Sequence, residues 1–577
     1  YLGQMESFMK AFVFPFFSSP HGFLRTRACE ICSKAGEVQF EDSTVIEVIY
    51  KGIMQCLNEE TGCLPVQLLA ALALQTFIHN EQFQQALSAV VLPTMQKMLY
   101  LSNEFESDTI SGVMQDFVEQ FAEQLQPFGV ELMNTLVQQF LKLAIDLNDV
   151  ANTEANNILD ADDVPDETDK QMAALGILST TISILLSFEN SPEIVKNLEQ
   201  SFYPAAEFIL KNGIEDFYRE CCEFVENSTF LLREITPISW KILELIGEAN
   251  RKEESMVSFY LEDFMLVFNN YTIYGKDELK KNEFYTNIIW EVYRKSSISE
   301  ESDLDELIIV FDLAQKLILA LEGNLQASYR QQFLEDAIKS IVVEKETLKK
   351  NIIFGVTAFN VIISSIVSSP LVSLQFLKHH ECLQFFFEMW LSFYAPNVKR
   401  IFDIKLSILA LLSIICQVPL EAFSELSMES TVQHLTPIML ELVSRVPGAL
   451  KNMEERRKEY SSDSFKPEAF NDWENEDDAY DDNEETGEEA LKEQLELLKG
   501  DSDVLKFVNG RSFEDGENFD DLEEDPLTGS ILDSINIYEV LKTSMMSLQQ
   551  SDLNRYACFV KNMSPEDQTL LSQLLSL

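Results

Sequence analysis

Apolar residues recur three and four positions apart through most of this chain, in stretches of about 12 to 22 residues separated by short polar or proline-marked breaks. Such spacing predicts amphipathic α-helices, each with one stripe to bury. The stripes fall into pairs. The pattern predicts Met5–Phe17 with Gly22–Lys34, Thr44–Leu57 with Pro65–Ile78, Gln82–Leu101 with Ile110–Leu125, and Val130–Leu147 with Gln171–Phe188. It continues with Ile194–Leu210 and Phe217–Leu232, Ile238–Ala249 and Met256–Phe268, Asn282–Tyr293 and Leu304–Leu321, and Tyr329–Val343 and Lys350–Val367. Leu371–Phe393 with Val398–Val418, and Leu420–Met428 with Val432–Ala449, close the series.

About ten pairs in roughly 450 residues give a period near 45, within the range of HEAT and armadillo repeats. Neither helix of such a pair buries its stripe unless neighbouring pairs stack. The expected fold is all-α: a right-handed HEAT-repeat α-solenoid, a superhelix of antiparallel helix pairs, over residues 1–460. An acidic, largely disordered segment is expected over 461–530 and short helices over 531–577. With only 19 Gly and 17 Pro in 577 residues, turn punctuation is too sparse for many short strands. The longest nearly apolar runs, 352–367 and 406–420, stop short of the roughly 20 residues a bilayer span needs, so no membrane insertion is expected. The first residues, Tyr1 to Met5, contain no basic region before an apolar core, and the chain reads as a fragment of a longer protein.

Two segments break the helical rhythm. Residues 146–169 hold nine acidic side chains and no basic one, including Asp160, Asp162, Asp163, Asp166, Glu167 and Asp169. Ordinary helix–helix connections run roughly 2 to 8 residues. A long insertion of one charge sign points to capture of the opposite charge. Between Pro467 and Pro526 the chain carries a net charge of −20, which leaves too little apolar burial to offset chain entropy. Trp473 and Tyr480 are interleaved there with Glu474, Glu476, Asp477, Asp478, Asp481 and Asp482, so that Lys or Arg of a partner could pair with carboxylates while resting on a ring. The same two rings leave open a tail that folds back on the solenoid as a mimic of its partner. Tail and loop together hold more than half of the chain's formal charge of −53.

That charge repels phosphate backbones and anionic leaflets and steers basic proteins. Direct nucleic-acid binding is therefore not expected. Exposed ion pairs contribute about 0 to 1 kcal/mol each and are screened by salt, so these tracts suit broad recognition of basic, disordered partners. No phosphate-cradling, dinucleotide, zinc-protease, nucleophile-elbow or kinase signature occurs, and no enzyme activity or cofactor is expected. Nine cysteines without framework spacing point to reduced thiols; Cys29 and Cys32 form a C-x-x-C with no second half and read as core. His379 and His380 are adjacent on a helix and cannot both face one metal. The aromatic run Phe385 to Phe393 reads as core packing between repeats.

Specific strings carry a resemblance. The segment Phe14-Pro15-Phe16-Phe17-Ser18-Ser19-Pro20-His21-Gly22-Phe23-Leu24-Arg25-Thr26-Arg27-Ala28-Cys29 resembles a segment in the middle of the importin-seven/importin-eight branch of the karyopherin-β family. The likeness continues through the Pro65 to Leu74 helix, Asp169 to Leu178, and the closing Ile537 to Lys542 and Arg555 to Gln568 segments. Thr26 stands where that branch usually has Ala, Met563 where it has Leu, and a Phe-Gly-bearing extension seen in some relatives is missing. The resemblance implies the C-terminal half of a nuclear import receptor of fungal type that shuttles between cytoplasm and nucleus. It also implies partners: basic cargo such as ribosomal proteins, histones or RNA-binding proteins, held on an acidic concave surface; the GTPase Ran in its GTP form, bound mainly by the absent N-terminal half and triggering release; and Phe-Gly nucleoporins of the pore. Composition alone leaves open a histone-chaperone-like polyanion or a HEAT scaffold, and an exportin shares the same solenoid.

Overall fold

The stripes fold as helices in two groups. The computed structural model describes residues 2–36, 38, 40, 42–59, 62–105, 109–156, 168–296, 303–461, 519, 522, 528–561 and 563–576, and divides into two compact units, 1–296 and 297–577. Among the described residues every regular element is helical.

The first unit contains α1 (Leu2–Phe12), α2 (Gly22–Ser33), α3 (Thr44–Leu57), α4 (Leu64–Phe77), α5 (Glu81–Leu87), α6 (Val91–Phe105), α7 (Thr109–Gln120) and α8 (Ala122–Leu125). It continues with α9 (Gly129–Asn156), α10 (Thr168–Leu186), α11 (Pro192–Asn212), α12 (Tyr218–Leu232), α13 (Pro237–Arg251), α14 (Leu261–Tyr274), α15 (Lys276–Lys281) and α16 (Glu283–Lys295). The second helices of successive pairs, α2, α4, α7, α10, α12 and α14, pack each against the next; the first helices α9, α11, α13 and α16 form a companion row. This is the HEAT-like arrangement, in which each stripe is buried by its neighbours. Hydrogen bonds recur at the repeat distance. Thr76 Oγ1 donates to the Ser33 carbonyl at 3.0 Å, Gln75 Nε2 to Asp116 at 2.7 Å, Gln139 Nε2 to the Leu99 carbonyl at 2.9 Å and Asn270 Nδ2 to the Glu226 carbonyl at 2.9 Å, across 40 to 44 residues.

The second unit contains α17 (Leu304–Leu321), α18 (Ala327–Val343), α19 (Ile352–Ser368), α20 (Pro370–His379), α21 (Leu383–Met389), a π-helical turn (Trp390–Tyr394), α22 (Ala395–Asn397) and α23 (Ile401–Gln417). After α24 (Leu420–Glu425) and α25 (Glu429–Ser461), the chain closes with α26 (Ile537–Ser551), α27 (Leu553–Val560) and α28 (Pro565–Ser576). Here α17, α19 and α23 pack in series, with α25 and α26 on α23. Nearly every side chain of α19 is buried, which accounts for its lack of a polar face. Among the described residues no helix is long and apolar enough to cross a membrane.

Several helices differ from the pattern's expectation for identifiable reasons. Gln82–Leu101 is two helices, because Pro93 lacks an amide donor and sits instead in the first turn of α6. Leu371–Phe393 is broken after α20, where Glu381 adopts φ 58° and the Cys382 amide closes on the Leu377 carbonyl at 3.0 Å. Ser427, at φ 60°, ends α24 in the same way, with the Met428 amide on the Phe423 carbonyl at 2.8 Å. Cys29 and Cys32 are buried as expected for core, and burial pushes the Cys32 thiol up to about 12.

Candidate protein-interaction site

The helix α9 continues through Asp146 and Asp149, both exposed, to Asn156, so the acidic connection is shorter than 146–169. Asp169 is exposed in the first turn of α10, where a carboxylate faces the positive end of the helix dipole. Asp160, Asp162, Asp163, Asp166 and Glu167 lie outside the described residues, as do Trp473, Glu474, Glu476, Asp477, Asp478, Tyr480, Asp481 and Asp482.

The helix ends around that connection frame a cleft of about 800 Å³ in the first unit. Its wall includes Ala151 near the end of α9 and Gln171 near the start of α10, the two sides from which the acidic connection springs. Two further connections complete it, 212–217 between α11 and α12, and 252–256 after α13. Gly213 supplies the left-handed conformation (φ 70°) that ends α11, and the Ile214 amide closes on the Ile209 carbonyl at 3.1 Å. Glu215 and Asp216 on the first connection and Glu253 and Glu254 on the second all line the cleft. One cation lines the same wall: Lys252, whose ammonium donates to the Lys211 carbonyl. The floor is partly apolar, with Phe217 and Tyr218 buried. Burial, reinforced by the neighbouring Glu215 carboxylate, pushes the Tyr218 phenol up to about 12.

Further along α12 and on α14 stand Glu220, Glu223 and Asp263, all half-buried. Burial raises the pKa of each above the ordinary carboxylate range, because the ionised form loses hydration. Arg219 reaches Asp263 at 3.4 Å and offsets part of that rise. Glu220 Oε2 has no hydrogen-bond partner among the described residues. Carboxylates held this way gain from an incoming cation, which favours their ionised form.

Residues Glu215, Asp216, Glu253 and Glu254 were not singled out in the sequence, since each is one of an ordinary pair of acids in a short break. Their position carried the signal. Both breaks, like 146–169, fall between the first and second helix of a pair, and stacking brings residues 212–217 and 252–256 to the helix ends at Ala151 and Gln171.

Fold and surface together define an acidic helical-repeat protein. No protein-family model matches the chain. It is 58% identical over all 577 residues to "Nonsense-mediated mRNA decay protein 5" of Saccharomyces cerevisiae, covering 55% of that protein. It is 22% identical over 468 residues, 81% of this chain, to "Probable importin-7 homolog" of Dictyostelium discoideum, covering 42% of that protein. Over 322 residues, 56% of this chain, it is 26% identical to "Importin-8" of Homo sapiens, covering 29% of that protein. The chain thus spans about half the length, or less, of these relatives.

These matches correct one expectation. The relative that matches along the entire chain bears a nonsense-mediated decay name, whereas importin-named proteins match at 22 to 26% over parts of it, so the chain is not the C-terminal half of an importin-seven/importin-eight receptor. With that identification falls the import cycle drawn from it, with basic cargo on a concave surface released by Ran-GTP. The physical reason lies in the strings that carried the resemblance. Phe17, Ala28 and Cys29 of the first string, and Ala70, Ala71, Ala73 and Leu74 of the second, are buried packing residues. Side chains of that kind report how repeats pack and leave partners unspecified.

Proposed function

We propose that the first unit binds basic segments of a protein partner at the acidic edge formed by Glu215, Asp216, Glu253 and Glu254, within a protein that acts in nuclear protein transport. The observation that carries this reading is the juxtaposition of four carboxylates around one cleft, rooted where the acidic connection leaves α9 and enters α10. Asp160, Asp162, Asp163, Asp166, Glu167 and Asp169 extend the same surface in this reading, and the 473–482 tract supplies a second acidic element. A partly apolar floor adds what exposed ion pairs lack, since pairing alone contributes little.

Similarity to importin-named proteins supports the transport context and, in general terms, a transported protein and Ran as partners. Phe-Gly nucleoporins and shuttling between nucleus and cytoplasm belong to the same reading. The name of the 58%-identical yeast protein suggests a link to mRNA decay, so proteins that handle mRNA are natural partners to try.

Photo-cross-linking tests the location. An arginine-rich peptide with a photoreactive residue, bound to the full chain, should label peptides containing residues 212–218 and 249–256. Labelling spread evenly over the acidic surface, or confined to the second unit, would overturn the reading.

A further inference from the structure

The second unit carries a site of opposite character. After α21 the helix widens into the single π-turn Trp390–Tyr394 before Pro396. Such turns re-aim side chains and are frequent at functional sites. Phe386, Phe387, Trp390 and Leu391 are buried, as the core reading expects, but Phe385 and Phe393 stay half-exposed. Cations stand over both rings: the Lys345 ammonium lies 4.6 Å from the Phe385 centroid and that of Lys349 5.0 Å from Phe393. Lys345, Lys349 and Lys350 are all exposed on the connection between α18 and α19. In a chain of net charge −53, Lys345 and Lys349 beside aromatic rings, with Lys350 and against Glu344 and Glu346, leave this connection with a net positive charge, a local surface suited to acidic and aromatic groups together.

That surface is occupied by the chain itself. Phe519, only 8% exposed, places its ring centroid 5.4 Å from Phe393 and 6.4 Å from Tyr394. Leu522, 3% exposed, donates its amide to the Phe519 carbonyl at 3.4 Å, a single turn that brings both apolar side chains to the protein. In sequence, Asp520 and Asp521 lie between them and Glu523, Glu524 and Asp525 follow.

We propose that Phe385, Phe393 and Tyr394, with Lys345 and Lys349, form a recognition site for short acidic segments bearing Phe and Leu three residues apart. Phe519–Leu522 is its occupant in cis, and a partner segment of the same chemistry displaces it. The proposal is independent of the basic-partner reading, which concerns the other unit and the opposite charge.

The test uses the full 577-residue chain and a fluorescent peptide of residues 515–526, followed by anisotropy. The segment in cis is present at high effective concentration and should block the peptide. The F519A/L522A variant should therefore bind it at least tenfold more tightly than the wild type. Adding K349E should reverse that gain, and a peptide with Ala in place of Phe should not bind. Equal binding by wild type and F519A/L522A, or equal binding of the Ala peptide, would overturn the proposal. Hydrogen exchange on the wild-type chain gives a second readout that requires no variant. The Leu522 amide should be protected and lose protection in excess peptide, and an amide that is unprotected from the outset counts against the site.

Discussion

The buried ammonium of Lys405, in the second turn of α23, donates to the main-chain carbonyl of Leu532 at 2.9 Å, across 127 residues of sequence. It also approaches the Asp533 carbonyl at 3.4 Å, and a little further along Arg555 donates to the Ile415 and Ile414 carbonyls at 2.6 and 3.2 Å. Two buried cations thus tie residues 532–533, just before α26, and α27 to α23 through backbone oxygens. Replacing Lys405 by Met removes the donor and leaves carbonyls unsatisfied, at a cost of about 1 to 3 kcal/mol. In K405M, hydrogen exchange should quicken in α26 to α28 and remain unchanged in α17.

Glu199 on α11 is 1% exposed and accepts hydrogen bonds from Ser228 Oγ at 3.1 Å and from the hydroxyls of Thr236 and Ser239. It links three successive helices of the first unit. Burial raises its pKa above the usual range, and the three hydroxyls only partly counter this. A carboxyl whose folded pKa is raised contributes stability that is fully present below its unfolded pKa, about 4.3, and is lost as pH rises through the folded value. Urea denaturation of the wild type and E199Q should accordingly show the wild type's relative stability falling as the pH rises above about 4.3. A difference that is constant over this range would contradict the assignment.

Glu381 pays a conformational penalty at φ 58° that glycine escapes. Its side chain is exposed, so E381G should stabilise the second unit by about 0.5 to 1 kcal/mol, seen as a raised Tm in calorimetry. A lowered Tm would mean that the carboxylate makes a compensating interaction.

This residue also shows where the sequence stops being legible. The helical pairs, their order and their period follow directly from apolar spacing, because each stripe must be buried and the alternatives leave it exposed. Helix ends at Glu381 and Ser427 could not be read, since both are closed by left-handed residues that are not glycine, whereas Gly213 announces its own turn. The acidic edge was half legible. One long acidic connection stood out, but Glu215, Asp216, Glu253 and Glu254 gain their meaning only when stacking brings their connections together. Phe519 and Leu522 were hidden for a different reason. Two apolar residues in an acidic run carry no periodic signal, and the ring partners of Phe519, Phe393 and Tyr394, depend on a π-turn that composition does not announce.

The half-buried carboxylates Glu220, Glu223 and Asp263 lie outside the cleft lining, further along α12 and on α14, and the proposal that they extend the acidic edge makes binding there depend on pH. Burial raises their pKa values, so protonation competes with binding as the pH falls, and a basic partner selects the ionised form. Affinity for an arginine-rich peptide should increase from pH 5 to pH 7, and E220Q/E223Q should flatten that increase. A profile that is flat in the wild type would remove these residues from the binding surface.

The central claim is that protein partners are held at one acidic edge and not by diffuse negative charge. It is tested most directly by isothermal titration of an arginine-rich peptide into the full chain and into the variant E215Q/D216N/E253Q/E254Q, at low and physiological salt. The variant changes only four of 96 acidic residues, so a diffuse field would scarcely notice it. The account predicts at least a tenfold loss of affinity at physiological salt, with a shallower salt dependence. Equal affinity and equal salt dependence in the two proteins would contradict it.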